Sequence, residues 1–150
     1  MVDAPFIEMP FARMPLPGVL TAGQPSGPQL GALAEAGYRT VINTRGFGEP
    51  GVAEMPAYVA SLGMDYVHIP ISGPEDVSLA NAKKLADALE GGLPALVHCA
   101  SSNRVGALFA LKAYALDGQS PAESLQLGRA AGLQGLEPYV RMLLNQPRPA

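Results

Sequence analysis

Short apolar runs at Val19–Ala22, Thr40–Asn43, 66–69 and 94–97 alternate along this chain with longer stretches of helical spacing. Each run is too short for a helix, so each predicts a buried strand, and Pro70 closes the one at 66–69. Strands separated by helices cannot pair as tight hairpins. Each crosses over through its helix and lies parallel to its neighbour. The expected fold class is therefore α/β, a mainly parallel central sheet flanked by helices. At 150 residues, 48% of them apolar, the chain suffices for one domain with a real core.

The helical stretches carry their own punctuation. Ser26 reads as an N-cap, with Leu30, Leu33, Ala34 and Gly37 following it. Residues 52–62 predict a helix that Pro56 either kinks or starts later. Residues 78–89 place Leu79, Ala82, Leu85, Ala86 and Leu89 on one face, after a polar loop at 72–77. Ser120-Pro121-Ala122-Glu123 is a capping-box start, and Glu137–Leu144 predicts a last helix. Pro5, Pro10, Pro15 and Pro17 make residues 1–17 an extended N-terminal segment. The domain proper is expected over 18–146, with 147–150 a frayed tail.

One junction carries chemistry. Cys99, the chain's single cysteine, stands between the strand at 94–97 and a stretch at 105–116 that is apolar nearly all round. A helix starting there points unpaired backbone N–H groups at the turn, which attracts anions. The same positive end favours the thiolate of a cysteine placed beside it. Arg104 adds a planar fork for two oxygens of one anion. A nucleophile, the amides of Ala100, Ser101, Ser102 and Asn103, and an arginine clamp thus fall within six residues. That suits attack on phosphorus. A lone cysteine can equally be a small buried hydrophobe, and His98 reads as a support of the loop through hydrogen bonding rather than a base.

The segments Leu20-Thr21-Ala22-Gly23-Gln24-Pro25, Gly37-Tyr38-Arg39-Thr40-Val41-Ile42-Asn43-Thr44-Arg45 and the loop from His98 to Gly106 together resemble the cysteine-dependent protein tyrosine and dual-specificity phosphatases. The closer resemblance is to the small bacterial phosphatase-like domains also found fused to beta-lactamase-like hydrolases. The resemblance implies a cysteinyl-phosphate mechanism with Cys99 and Arg104 as catalytic residues. It also implies an upstream acid; Asp76 is the first choice and Glu75 the second, against the alternative that Asp76 or Ser78 only caps a helix. Gln24, carried over from the motif alone, is expected to orient water or substrate. Arg45 is expected either to hold a second anionic group or to be a surface arginine. Two features depart from the best-known members, which have five residues between cysteine and arginine and a hydroxyl residue after the arginine. Here four residues intervene and Val105 follows, so Ser101 or Ser102 would have to supply the hydroxyl. The short loop also resembles that of rhodanese-type sulfurtransferases, which keeps two alternatives open: a Cys99 persulfide enzyme, or a phosphate-binding pseudophosphatase.

Bulk properties bound the rest. A net charge of −3 offers no basic stripe, so no nucleic acid partner is expected. The expected partner is a phosphorylated protein or a small phosphomonoester. Two histidines and one cysteine give no metal spacing, His68 reads as a core or face residue, and no metal or cofactor is expected. The opening Met1-Val2-Asp3-Ala4-Pro5 has neither a cationic start nor an apolar run, and the lone cysteine forms no internal disulfide. A cytoplasmic, bacterial protein away from the membrane is the expectation.

Overall fold

The computed structural model describes residues 4–148; the start of the N-terminus read above (1–3) and the end of the tail (149–150) lie outside the described residues. Five strands, β1 (Arg13–Leu16), β2 (Val19–Ala22), β3 (Thr40–Asn43), β4 (Asp65–His68) and β5 (Ala95–His98), form one sheet in the order β1-β2-β5-β3-β4. Every pairing is parallel except β1 with β2. The helices are α1 (Gly27–Glu35), α2 (Met55–Ser61), α3 (Leu79–Leu89), α4 (Asn103–Ala115), α5 (Pro121–Ala131) and α6 (Glu137–Leu144).

Side chains alternate across the sheet and divide the core in two. Leu20, Ala22, Val41 and Leu96 pack with Leu30 and Leu33 of α1 and Val59 of α2. Val19, Ile42, Ala95 and Val97 pack on the other face with α3, α4, α5 and α6 residues such as Leu85, Phe109, Leu125 and Val140. β5 lies at the centre, so the loop that follows it emerges between the ends of β2 and β3. In such sheets the crevice beyond the strands' carboxyl ends is where ligands bind.

Local chemistry sets the boundaries. Ser26 and Gln29 close a reciprocal capping box at α1, and Ser120 and Glu123 do the same at α5. α2 starts at Met55 rather than 52 because Pro56 fits the first turn, where its missing N–H costs nothing. Residues 13–16, expected only as extended chain, form an edge strand antiparallel to β2; Pro15 is tolerated there because an edge leaves one side unpaired. Arg148 is not frayed. Its guanidinium donates to the carbonyls of Tyr114 (3.0 Å) and Gln119 (2.6 Å) and stacks 4.5 Å over the Tyr114 ring.

α4 is buried nearly all round and holds the site in place. Gly106 and Gly128 bring α4 and α5 together. A Cβ on Gly106 would run into the Leu133 N–H and the Gly128 carbonyl. The start of α4 is thereby fixed against the sheet.

Candidate active site

β5 ends at His98, whose carbonyl accepts two bonds from Thr44, one from its N–H and one from its hydroxyl, both 2.9 Å. The Cys99 N–H donates to the Ala22 carbonyl at 3.2 Å, and Gly23 bridges Ser101. Cys99 is thus held between the ends of β2 and β3, and the chain then turns into α4. Ser102 makes that turn with φ of 70°, a left-handed conformation usually left to glycine. Gly132 sits against Ser102 and has no room for a Cβ. Asn103 pins the loop from outside: its Oδ1 accepts from the N–H groups of Gln134 (2.8 Å) and Leu136 (3.2 Å).

Arg104 reaches from the first turn of α4 into the crevice. Its Nη1 and Nη2 donate to the two Glu49 carboxylate oxygens at 2.7 and 2.8 Å, and Nη1 also donates to the Ile71 carbonyl at 2.9 Å. A guanidinium has five N–H groups. Three are used here. The Nε–H and the second Nη2–H, on the side-on edge of the fork, make no hydrogen bond of good geometry among the described residues, and the Cys99 sulfur lies near the guanidinium. That edge is the geometry that grips two oxygens of one anion. The Arg104 pKa is raised, chiefly by Glu49, with the nearby Cys99 sulfur a smaller contributor. Glu49 responds in kind: hydrogen bonding from Arg104 holds its carboxyl at about 2 despite partial burial, helped by the Gly46 N–H and by the charge of Arg45.

Arg45 is no surface arginine, because it is almost wholly buried. Its Nη1 donates to Gln24 Oε1 (2.6 Å) and to the Pro50 carbonyl (2.7 Å), and its Nε lies 3.4 Å from Glu49. Gln24 is accordingly spent on Arg45 and on a contact with Met55, rather than turned towards a ligand. His68, half-buried on β4, meets the Arg45 carbonyl through Nε2 at 2.6 Å and packs edge-on against Phe47. The loops after β2, β3 and β4 and the Cys99 loop therefore meet at one rim, joined by Arg45, Glu49 and Arg104.

Other expected residues are placed differently. His98 is wholly buried, and neither ring nitrogen has a hydrogen-bond partner. Burial pushes its pKa down to about 3; the Cys99 main chain, close to the ring but outside good hydrogen-bond geometry, opposes this weakly. The ring is neutral, and the support it gives the loop is packing, with its carbonyl making the bonds. Ser102 donates its hydroxyl to the Phe11 carbonyl at 3.2 Å, so it does not replace the hydroxyl missing after Arg104. Cys99 itself is 1% exposed, at the floor of the loop. Asp76 lies in a short 3-10 turn, Pro74–Asp76, where its carboxylate accepts from the N–H groups of Ser72 (2.9 Å) and Gly73 (3.4 Å). Glu75 folds back over Gly73. Neither reaches Arg104, although the segment 71–74 ahead of them lines a cleft with Arg104, Asn103 and Leu136. The carboxylate at the arginine is Glu49, which the sequence does not single out. Its one signal is the spacing Arg45 to Glu49, base and acid four apart with Gly46 and Gly48 between them.

A mainly parallel sheet with helices on both faces, a cysteine just after its central strand and an arginine in the first turn of the next helix define a phosphatase-like α/β domain. The chain belongs to the family described as "Beta-lactamase hydrolase-like protein, phosphatase-like domain", whose model matches residues 17–116. The Beta-lactamase hydrolase-like protein of Agrobacterium fabrum (strain C58) is 37% identical over 105 residues, 65% of this chain but only 23% of that protein. This chain thus spans about a quarter of that relative's length. Among solved structures, a DUF442 protein of Shewanella putrefaciens CN-32 superposes with a TM-score of 0.70 at 21% identity, covering 90% of this chain and 91% of that one. Kinase associated phosphatase, crystallised with its catalytic-site cysteine replaced by serine, gives a TM-score of 0.66 at 16% identity, over 85% and 83% of the two chains. These likenesses establish the phosphatase fold. No helix among the described residues is long and apolar enough to cross a membrane.

Proposed function

We propose that this domain is a cysteine-dependent phosphatase acting on phosphomonoesters in the cytoplasm. The Cys99 thiolate attacks phosphorus; the S–P bond forms as the P–O bond to the leaving group breaks, and that oxygen takes a proton. Water then attacks phosphorus and gives a proton to the carboxylate that donated one, the S–P bond breaks, and inorganic phosphate leaves with the thiolate regenerated. The amides of residues 100–104 and the open edge of Arg104 hold the transferring group. The observation that carries this reading is the division of labour on Arg104. Glu49 takes the end of the fork and fixes its plane, which leaves Nε and Nη2 for two phosphate oxygens. Asp76 or Glu75 supplies the proton, which requires the turn at 72–76 to release its carboxylate when substrate binds.

A second reading has its own support. Four residues separate Cys99 from Arg104, and the Asp76 carboxylate is tied to backbone amides. Sulfur transfer needs no acid for its leaving group. The Cys99 thiolate would attack the outer sulfur of thiosulfate, the S–S bond would break to release sulfite, and the persulfide sulfur would then pass to a nucleophile such as cyanide.

One paired assay separates them. Release of phosphate from p-nitrophenyl phosphate by the wild type, lost in Cys99→Ser, supports the first reading. Formation of thiocyanate from thiosulfate and cyanide, with no phosphate release, supports the second. Either activity surviving intact in Cys99→Ser rejects the cysteine mechanism for it. Specific anion binding with neither activity leaves a pseudophosphatase.

A further inference from the structure

We propose that Phe11 is a specificity-determining residue of the Cys99 site, its ring forming the wall against which a flat apolar group attached to the substrate's anion packs. The proposal rests on the reading that the Cys99 loop takes an anionic substrate. It comes from a segment that lies ahead of the family match, which begins at residue 17.

Among the described residues only two that are not glycine have a positive φ, Phe11 at 59° and Ser102 at 70°. They lie 91 positions apart, and the Ser102 hydroxyl donates to the Phe11 carbonyl. Strained residues of this kind cluster where function overrides stability. The Phe11 turn runs from Met9 to Ala12, closed by an N–H to carbonyl bond of 3.1 Å, with Pro10 second and Phe11 third. A proline second and a positive φ third make a type II turn, and its third place suits glycine. The chain keeps a phenylalanine there at a cost in strain, and core packing does not offset it, because the ring is 50% exposed.

The backbone that carries the ring is nonetheless held firmly. The Gly23 N–H donates to the Pro10 carbonyl at 2.8 Å, and Ser102 grips the next carbonyl. The space where a Gly23 side chain would sit is taken by the Ala100 carbonyl and by Phe11 Cδ2. Gly23 follows β2, and Ala100 follows Cys99. The aromatic ring therefore stands at the carboxyl edge of the sheet, beside the first residue of the anion loop, half open to solvent. A fixed, exposed aromatic costs little entropy when a ring packs on it.

The test is binding by calorimetry to the Cys99→Ser protein, with two pairs of probes: phenyl phosphate against methyl phosphate, and benzenethiosulfonate against thiosulfate. Phe11→Gly removes the ring while giving the turn the residue it prefers, so its thermal midpoint should match or exceed that of its parent. In Phe11→Gly the ring-bearing probe should weaken about fivefold, the scale of one aromatic contact, while the ring-free probe changes less than twofold. Phe11→Tyr should restore the difference. Phe6→Ala, which removes a comparably exposed ring from the same segment, should alter neither probe. Equal weakening of both probes would make Phe11 a loop support only and overturn the proposal, as would unchanged affinity for the ring-bearing probe. If neither phosphate binds but the thiosulfonate pair does, the phosphatase reading fails and Phe11 is judged on that second pair. If no probe binds, both fall.

Discussion

Replacing Glu49 with glutamine tests the ion network at the site directly. The substitution keeps the shape and one acceptor oxygen but removes the charge that holds Arg104 and approaches Arg45. In the folded chain the Glu49 carboxyl lies at about 2, against an ordinary 4.5, so the ionised form stabilises the fold. At full strength that gap corresponds to about 3 kcal/mol. The Glu49 side chain is 30% exposed, and solvent screening brings the contribution to about 1.5 kcal/mol. The folded pKa is depressed, so the stabilisation is complete above about pH 5 and is lost as pH falls from 4.5 towards 2. Thermal unfolding of wild type and Glu49→Gln should thus differ by about 3–6 °C at pH 7. The difference should narrow steadily as the pH is lowered to about 3. A gap that stays constant between pH 7 and 3, or no gap at pH 7, would refute the electrostatic account.

Three further outcomes are expected. The His98 imidazole should stay neutral through pH 5 when followed by heteronuclear NMR, because burial holds it at about 3; the unfolded chain protonates first, so stability falls as pH drops from 6.5 towards 3, and titration of the ring near its ordinary 6.5 would contradict this. Gly106→Ala should destabilise the domain by about 2–4 kcal/mol in urea titrations, since the new methyl group meets backbone of the 128–133 segment that cannot give way. Asn103→Ala should cost about 1–2 kcal/mol and speed amide exchange at Gln134 and Leu136, whose N–H groups lose their acceptor.

The architecture was legible where local chemistry decides it. β2 and β3 stand where the apolar runs put them, and the caps at Ser26, Ser78 and Ser120 mark true helix starts. The Cys99–Arg104 loop was legible too, because a strand, a polar turn and a buried helix adjoin in sequence. Contacts between distant loops were not. Glu49 faces Arg104 across 55 positions, and nothing local marks it as that arginine's partner. Arg45 could be read either as an anion-holding residue or as a surface charge, because its burial depends on Gln24 and Pro50 closing over it. β1 escaped notice for a related reason: its proline and its mixed exposure carry no strand pattern, and only pairing with β2 makes it one. Asp76 illustrates the reverse case, in which a residue picked for chemistry is found serving its own turn.

Because α4 has almost no solvent face, it cannot tilt or fray at its first turns without opening the packing on that side of the sheet. Backbone protons inside it will exchange only when the whole domain unfolds. The floor of the site is therefore preset in shape, and any adjustment to an arriving molecule falls to the segments at 45–51 and 71–76, which close over it from the opposite bank.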